Sequence, residues 1–178
     1  MQVSFKPILE EDIDHLRDIA VKTFIHSYEH LNTLSNFNWY IQKAFTVEKL
    51  LSEIRNDESY YYFVHFGKDI VGYLKLNIGK SQTENHNDEY LEIERIYLNS
   101  NYQKKGIGRR IMTFVFEQAR TLSKSKVWLG VWDQNPRAIL FYEHIGFQRN
   151  GSHVFKFGDE DQVDHIMEID VAHFNENY

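Results

Sequence analysis

The stretch Glu92–Arg110, EIERIYLNSNYQKKGIGRR, constrains this chain more than any other. Leu91–Leu98 (LEIERIYL) is rich in β-branched, aromatic and aliphatic residues, which suit a half-buried pleated surface and predict a strand. Asn99-Ser100-Asn101 ends it with turn chemistry. Gln103-Lys104-Lys105-Gly106-Ile107-Gly108 follows, and Arg109–Arg120 then places Ile111, Met112, Val115 and Phe116 at helical spacing. A strand that runs through a glycine loop into a helix commits the chain to an α/β arrangement.

The loop also has a chemical signature. Two glycines let the backbone bend tightly and approach a ligand closely. The first N–H groups of a helix have no internal partner, and the helix dipole adds partial positive charge at the same end. Lys104, Lys105, Arg109 and Arg110 surround that point in a chain whose formal net charge is −6. The combination predicts an anion site suited to a di- or polyphosphate. It is not a P-loop, because no Gly-Lys-Ser/Thr follows at the required spacing. It is not the dinucleotide fingerprint either, since Ile111 stands where the third glycine would be. For the loop taken alone, a surface turn with solvated cations is an equal alternative.

Charge and composition narrow the function further. Twenty Lys and Arg against 26 Asp and Glu disfavour nucleic acid as the main partner and suit a cationic one. The absence of cysteine removes disulfides, thiolate metal sites and a Cys nucleophile. No leader pattern opens the chain and no apolar run would span a bilayer, so the expected location is the cytoplasm, with no membrane partner. A length of 178 residues fits one domain, residues 1–178.

Along the chain, Val3–Phe5 reads as a first strand, Glu10-Glu11-Asp12 opens a helix, and Ile13, Leu16, Ile19-Ala20 and Phe24 give it an apolar stripe to about Tyr28. His26 and His30 lie four apart, with Glu29 between them. Without a third ligand, a cleft or surface role outweighs a metal pair, and no metal is expected. Trp39–Phe45 reads as a short helix, and Thr46 caps another over Val47–Asn56 without a reciprocal acid at the box position. Tyr60–Phe66 and Ile70–Ile78 form a hairpin, and Gly79–Asp88 is a polar loop expected to be mobile. Lys126–Trp132 is a strand, Asn135–His144 a helix, and His153–Gly158 with Val163–Ile169 a closing hairpin. His173–Tyr178 reads as a frayed tail.

A second stretch, Val127–Phe147, VWLGVWDQNPRAILFYEHIGF, adds to the loop. With Gln103, Gly106 and Gly108 it resembles the GCN5-related N-acetyltransferase (GNAT) superfamily. That family carries Gln/Arg-x-x-Gly-x-Gly/Ala after its fourth strand. Further on it has an Asn, a small residue, an aromatic-Tyr pair and a Gly-Phe ending. Asn135, Ala138, Phe141-Tyr142 and Gly146-Phe147 match in order. Within the family, Gly72–Asn77, Leu91–Tyr97, Trp128–Trp132 and Gly158–Gln162 resemble the bacterial Pai-type spermidine/spermine N-acetyltransferases.

The resemblance implies an α/β GNAT fold: a central mixed, mostly antiparallel sheet, helices on both faces, and central strands that splay to admit ligand. It implies acetyl-CoA as co-substrate and direct transfer of the acetyl group to a primary amine, here of a polyamine. The implied CoA-binding residues are Gln103, Lys104, Lys105, Gly106, Ile107, Gly108 and Arg109 at the pyrophosphate. Ile96, Tyr97 and Leu98 would bind the pantetheine arm through their main chain, with Asn135 on its other side. Asn135 before Pro136 is also a favourable helix cap.

Tyr142 matches the family's usual acid for the departing thiolate. Counting back from Gln103, Glu92 falls where some members carry a general base. Glu92 and Glu94 lie two apart, so a regular strand points both to one face. Two carboxylates in an apolar core would be expensive, and both are therefore expected to line a wet, cation-binding cleft. Another small amine or a protein N-terminus as acceptor, and a regulatory acetyl-CoA-binding module, are the other readings. A homodimer is an open expectation.

Overall fold

The computed structural model describes residues 2–28 and 33–175. Val3–Pro7 (β1) leads through a short 3-10 turn into Ile13–Tyr28 (α1). Leu34–Ala44 (α2) and Val47–Ile54 (α3) follow, each begun by a threonine whose hydroxyl accepts a backbone N–H, from Asn36 to Thr33 and from Lys49 to Thr46. Then come Ser59–Phe66 (β2), Asp69–Asn77 (β3), Tyr90–Leu98 (β4), Ile107–Thr121 (α4), Lys126–Trp132 (β5), Pro136–Ile145 (α5), Gln148–Phe157 (β6) and Glu160–Asp170 (β7). Glu29 and His30 of the candidate histidine pair lie outside the described residues.

The strands form one seven-stranded sheet in the order β1-β2-β3-β4-β5-β7-β6. Every neighbouring pair is antiparallel except β4 and β5. One face packs α4 and α5 through Ile111, Val115, Phe116, Ile139, Tyr142 and Ile145. The other packs α1, α2 and α3 through Leu16, Phe24, Phe37, Phe45 and Leu50. Both faces carry an apolar core, which is why most strands read as near-continuous apolar runs.

Two features of β4 and β5 make the site. Their parallel ladder runs from Tyr90 opposite Lys126 to Ile93 opposite Leu129 and goes no further. Beyond it β4 continues to Leu98 and β5 to Trp132, so the facing edges open where the strands diverge. The second feature is a bulge. Lys75 pairs with Arg95 and Leu76 with Ile93, which leaves Glu94 as an extra residue in β4. Leu91 and Ile93 before the bulge, and Ile96 and Leu98 after it, therefore contribute to the same core despite the odd spacing. Glu94 and Arg95 are both turned toward the opposite, α1–α3 side, where Arg95 lies over the Phe45 ring.

The C-terminal segment is better anchored than its composition suggests. Residues Val171–His173 form a 3-10 turn, and the Phe174 ring stacks on Phe116 at 3.8 Å. The frayed tail expected from His173 on is thus corrected as far as Phe174, because one aromatic ring buried against α4 outweighs the local polarity.

Candidate active site

The glycine loop sits where the sequence places it, at the start of α4 beside the open end of β4. Gly106 is the N-cap, with φ of 76° in the left-handed region, and Lys104 also takes a positive φ of 59°. A Cβ added at Gly106 would meet no protein atom within 4 Å, so its outer side is open space. Gly108 has a different reason to be glycine: its Cβ would come 3.2 Å from Cζ of Phe141, so α5 packs directly on the first turn of α4. The loop and the aromatic-Tyr pair, 33 residues apart in sequence, are one structural unit.

Gln103, Lys104, Lys105 and Arg109 are exposed around this turn, and Gln103 Nε2 reaches the Leu98 carbonyl at 3.5 Å. Lys105 Nζ lies over the Tyr102 ring, 4.9 Å from its centroid. The buried Ile107 anchors the turn in the core. Ile96, Tyr97 and Leu98 are half-buried on the part of β4 past the last β4–β5 pair. Asn135 caps α5, its side-chain oxygen accepting the Ala138 N–H at 3.1 Å, with Pro136 at the first helical position. These residues fit a phosphate-bearing ligand that runs from the α4 turn into the gap between β4 and β5.

Tyr142 is buried on the inner face of α5, its ring against Phe141 and Phe147. Its neighbour Phe141 is the residue that touches Gly108.

The paired acids differ from expectation. Asn77 Nδ2 donates to both, at 2.9 Å to Glu92 and 2.6 Å to Glu94, so they do share a face. Glu92 does not line an open cleft, and Glu94 does line a cavity but with its charge already paired. Glu92 is only 2% exposed, and its carboxylate also accepts the Thr83 N–H at 2.9 Å and the Thr83 hydroxyl. Burial pushes its pKa up, against the lowering effect of the Thr83 and Asn77 hydrogen bonds. Glu94 is neutralised by Lys75 at 2.5 Å and Arg95 at 3.2 Å. The physical reason is the one that argued for a wet cleft: a carboxylate on a buried strand must be compensated, and here protein donors and cations do it.

The compensating network was not legible in sequence. Glu53 of α3 is paired with Lys75 at 3.1 Å and Arg95 at 3.4 Å, and accepts the Tyr61 hydroxyl. Burial alone would raise Glu53, but the charges of Arg95 and Lys75 and the Tyr61 hydrogen bond outweigh it and hold the carboxyl below its usual range. Lys75 and Arg95 are directly paired in the β3–β4 register. A charge in the middle of each apolar strand was the available signal, because such a charge needs a buried partner.

This network floors a cavity of about 400 Å³ on the α1–α3 side, walled by Tyr40, Thr83 and Phe155 among others. Lys43, Lys49 and Lys80 are on its rim. Glu94 and Thr83 belong to the cavity wall, which places the cavity beside the end of the β4–β5 ladder.

The polar loop after β3 is pinned rather than loose. Three consecutive residues reach three strands: Gln82 Oε1 accepts the Trp128 indole N–H of β5 at 2.8 Å, Thr83 binds Glu92 of β4, and Glu84 lies 2.8 Å from His153 Nδ1 of β6. This strap crosses the sheet where β4 and β5 part.

The sequence comparison completes the assignment. The model of the acetyltransferase (GNAT) family matches residues 13–147. The chain belongs to the GNAT acetyltransferase family. It is 34% identical over 165 residues to an uncharacterized N-acetyltransferase in the pepI 3' region of Lactobacillus delbrueckii subsp. lactis, covering 93% of this chain and 95% of that one. It is 26% identical over 175 residues to a spermidine N(1)-acetyltransferase of Thermoplasma acidophilum, covering 94% and 97%. Among solved structures, the PaiA N-acetyltransferase of Thermoplasma acidophilum in complex with coenzyme A superposes with a TM-score of 0.77 at 22% identity, over 96% of this chain and 99% of that one.

The protein is therefore an acetyl-CoA-dependent N-acetyltransferase, and the open β4–β5 edge with its glycine turn is the feature of this chain that fits the co-substrate. Among the described residues no helix is long and apolar enough to cross a membrane.

Gly106 offers a cleaner test of the phosphate turn than Gly108, whose substitution would disturb Phe141. Asn tolerates the left-handed region, so Gly106→Asn keeps the backbone and adds a side chain only where the protein leaves space. Affinity for CoA, read by calorimetry, should fall by about tenfold or more, which is about 1.4 kcal/mol. Wild-type affinity in a folded variant removes Gly106 from the site.

Proposed function

We propose that this enzyme transfers the acetyl group of acetyl-CoA to a primary amine of a polyamine such as spermidine. The observation that carries the reading is the cavity of about 400 Å³ on the α1–α3 side of the opened strands, large enough for a linear amine and with Glu94 on its wall, together with a separate acidic group, Glu84 and Asp164, about His153. Two of these carboxylates keep access to solvent, with side-chain exposures of 39% for Glu84 and 21% for Asp164. A polyamine can present one neutral nitrogen for reaction while its other ammonium groups stay charged beside such acids. The Thermoplasma relative, a spermidine N(1)-acetyltransferase, supports the same class.

In this reading CoA lies along Gln103–Arg109 and the main chain of Ile96–Leu98, with Asn135 opposite, and brings the thioester to the gap. An alkylammonium has a pKa of about 10.4, so its neutral form lies roughly 5 kcal/mol uphill at pH 7. Once the C–N bond forms, the nitrogen still carries a proton to be lost. Glu92 is the proposed acceptor for that proton, and its raised pKa moves it toward the range a base needs. Tyr142 supplies a proton to the departing sulfur: a phenol of pKa about 10 can donate to a thiolate whose acid is near 8.5. Glu92→Gln preserves shape and removes the base. It should lower kcat by about 10²-fold with little change in KM.

One observation favours a second reading. The cavity is lined by five cations, Lys43, Lys49, Lys75, Lys80 and Arg95, against two carboxylates, Glu53 and Glu94. That excess suits an amine that also carries an acidic group, including a peptide N-terminus with acidic residues after it. A thiol-release screen over polyamines, amino acids, aminoglycosides and peptides separates the two. The polyamine reading fails if any other class gives a kcat/KM well above that of every polyamine. CoA binding without turnover of any amine would favour a regulatory module.

A further inference from the structure

His153 is a titratable group on this side of the sheet that acetyl transfer through Glu92 and Tyr142 leaves unused. It stands on β6, with Glu84 of the strap 2.8 Å from Nδ1 and Asp164 of β7 3.7 Å from Nε2. The three residues are supplied by three separate segments and meet over one point of β5. That point is Gly130: a Cβ built there would lie 3.4 Å from His153 Cε1 and 3.5 Å from Asp164 Oδ2. Gly130 is the first residue of β5 beyond the last β4–β5 pair. The imidazole thus sits directly over the place where the strands open, with its side chain 23% exposed.

Neither ring nitrogen is fully engaged. Nδ1 is buried and makes no regular hydrogen bond, so Glu84 approaches it off the N–H axis. Nε2 is too far from Asp164 for a hydrogen bond. Glu92, by contrast, has its carboxylate occupied by three protein donors.

We propose that His153, held between Glu84 and Asp164, takes the first proton from the acceptor ammonium and passes it to solvent. The inference rests on acetyl transfer at the β4–β5 opening and not on the identity of the amine. The reaction releases one proton overall. An ammonium R–NH₃⁺ gives a proton to a neutral His153 nitrogen and becomes R–NH₂. Its nitrogen lone pair then forms the C–N bond as the C–S bond breaks. The second nitrogen-bound proton is lost to the protein, and the sulfur is protonated to the thiol. His153 returns its proton to water through its exposed edge, so atoms and charges balance. The charged and titratable groups facing the imidazole are Glu84 from the strap and Asp164 from β7, with Tyr40 of α2 beyond Asp164. Asp164 above all, and Glu84 with it, draw the imidazole pKa upward against the opposing effect of burial. A raised pKa narrows the gap to the ammonium it must deprotonate.

The test is the pH dependence of His153→Gln, assayed with whichever amine the wild-type enzyme turns over best. At pH 7, kcat/KM should fall by about 10²-fold. The deficit should shrink as pH rises toward the amine pKa of about 10.4, because the free amine then forms without help. CoA affinity and Tm should stay near wild type. His153→Ala should regain activity with added imidazole. Asp164→Asn, which keeps the histidine but removes the carboxylate that raises its pKa, should move the acidic limb of kcat/KM to lower pH. A deficit equal at every pH, or wild-type kcat/KM throughout, overturns the proposal. If His153→Gln does not fold, an unmoved limb in Asp164→Asn overturns it alone. Loss in Glu92→Gln with an unaltered His153→Gln would leave the scheme of the preceding section standing and remove only this inference.

Discussion

Tyr142→Phe should lower kcat by about 10²-fold while CoA affinity stays close to wild type. The substitution keeps the ring, which is packed against Phe141 and Phe147 on the inner face of α5, and removes only the hydroxyl. The helix carrying it should not move, since Asn135 and Pro136 still start it and Gly146, with φ of 111°, still ends it. Phe141 should likewise stay on Gly108, so the phosphate turn is undisturbed. What is lost is a proton donor whose acidity is close to that of the thiol it would form. General acid catalysis typically accounts for an effect of this size. Pre-steady-state measurement is the right check, because slow product release would mask a change in chemistry. A variant with wild-type rate in the chemical step would make Tyr142 a packing residue.

Arg95→Met should destabilise the protein by about 3 kcal/mol or more, far beyond what an exposed charge removal does. Arg95 is 7% exposed, lies over Phe45, and contacts Glu53, Glu94 and the Tyr61 hydroxyl. Without it, Glu94 is left with Lys75 alone and the buried Glu53 with Lys75 and the half-exposed Lys49. For a chain of this size the loss corresponds to roughly 10 °C in Tm. Arg55→Met is the control. Arg55 also forms an ion pair, with Glu10 at 2.5 Å, but both partners are more than half exposed. That pair, screened by solvent, should contribute little to stability. Adding Glu53→Gln to Arg95→Met should recover part of the stability, since it removes one of the uncompensated charges. Equal Tm losses for Arg95→Met and Arg55→Met would mean that the buried network is dispensable.

The sequence by itself determined most elements and the order of the motifs, although α2 starts at Leu34 rather than Trp39 and β6 at Gln148 rather than His153. β5 over Lys126–Trp132 is where alternation and composition put it, and the strand–glycine turn–helix unit is intact, because each depends on local chemistry: β-branched content, glycine conformations, Asn-Pro capping. The two motifs also determined the family. The opening between β4 and β5 followed from that resemblance, since periodicity cannot show where a ladder stops.

Only the tertiary structure decided what the charges do. A period of two placed Glu92 and Glu94 on one face correctly, but it could not show that a bulge at Glu94 turns Arg95 to that face as well. Nor could it show that Glu53, from a helix some 40 residues earlier, supplies the counter-charge. The same holds for the strap after β3, whose polar composition reads as a mobile loop until Gln82, Thr83 and Glu84 find partners on three strands. Glu84, His153 and Asp164 are far apart in sequence and carry no local signature. A side chain's charge state and availability depend on what long-range packing sets beside it, and one sequence records the residues without recording which of them will meet.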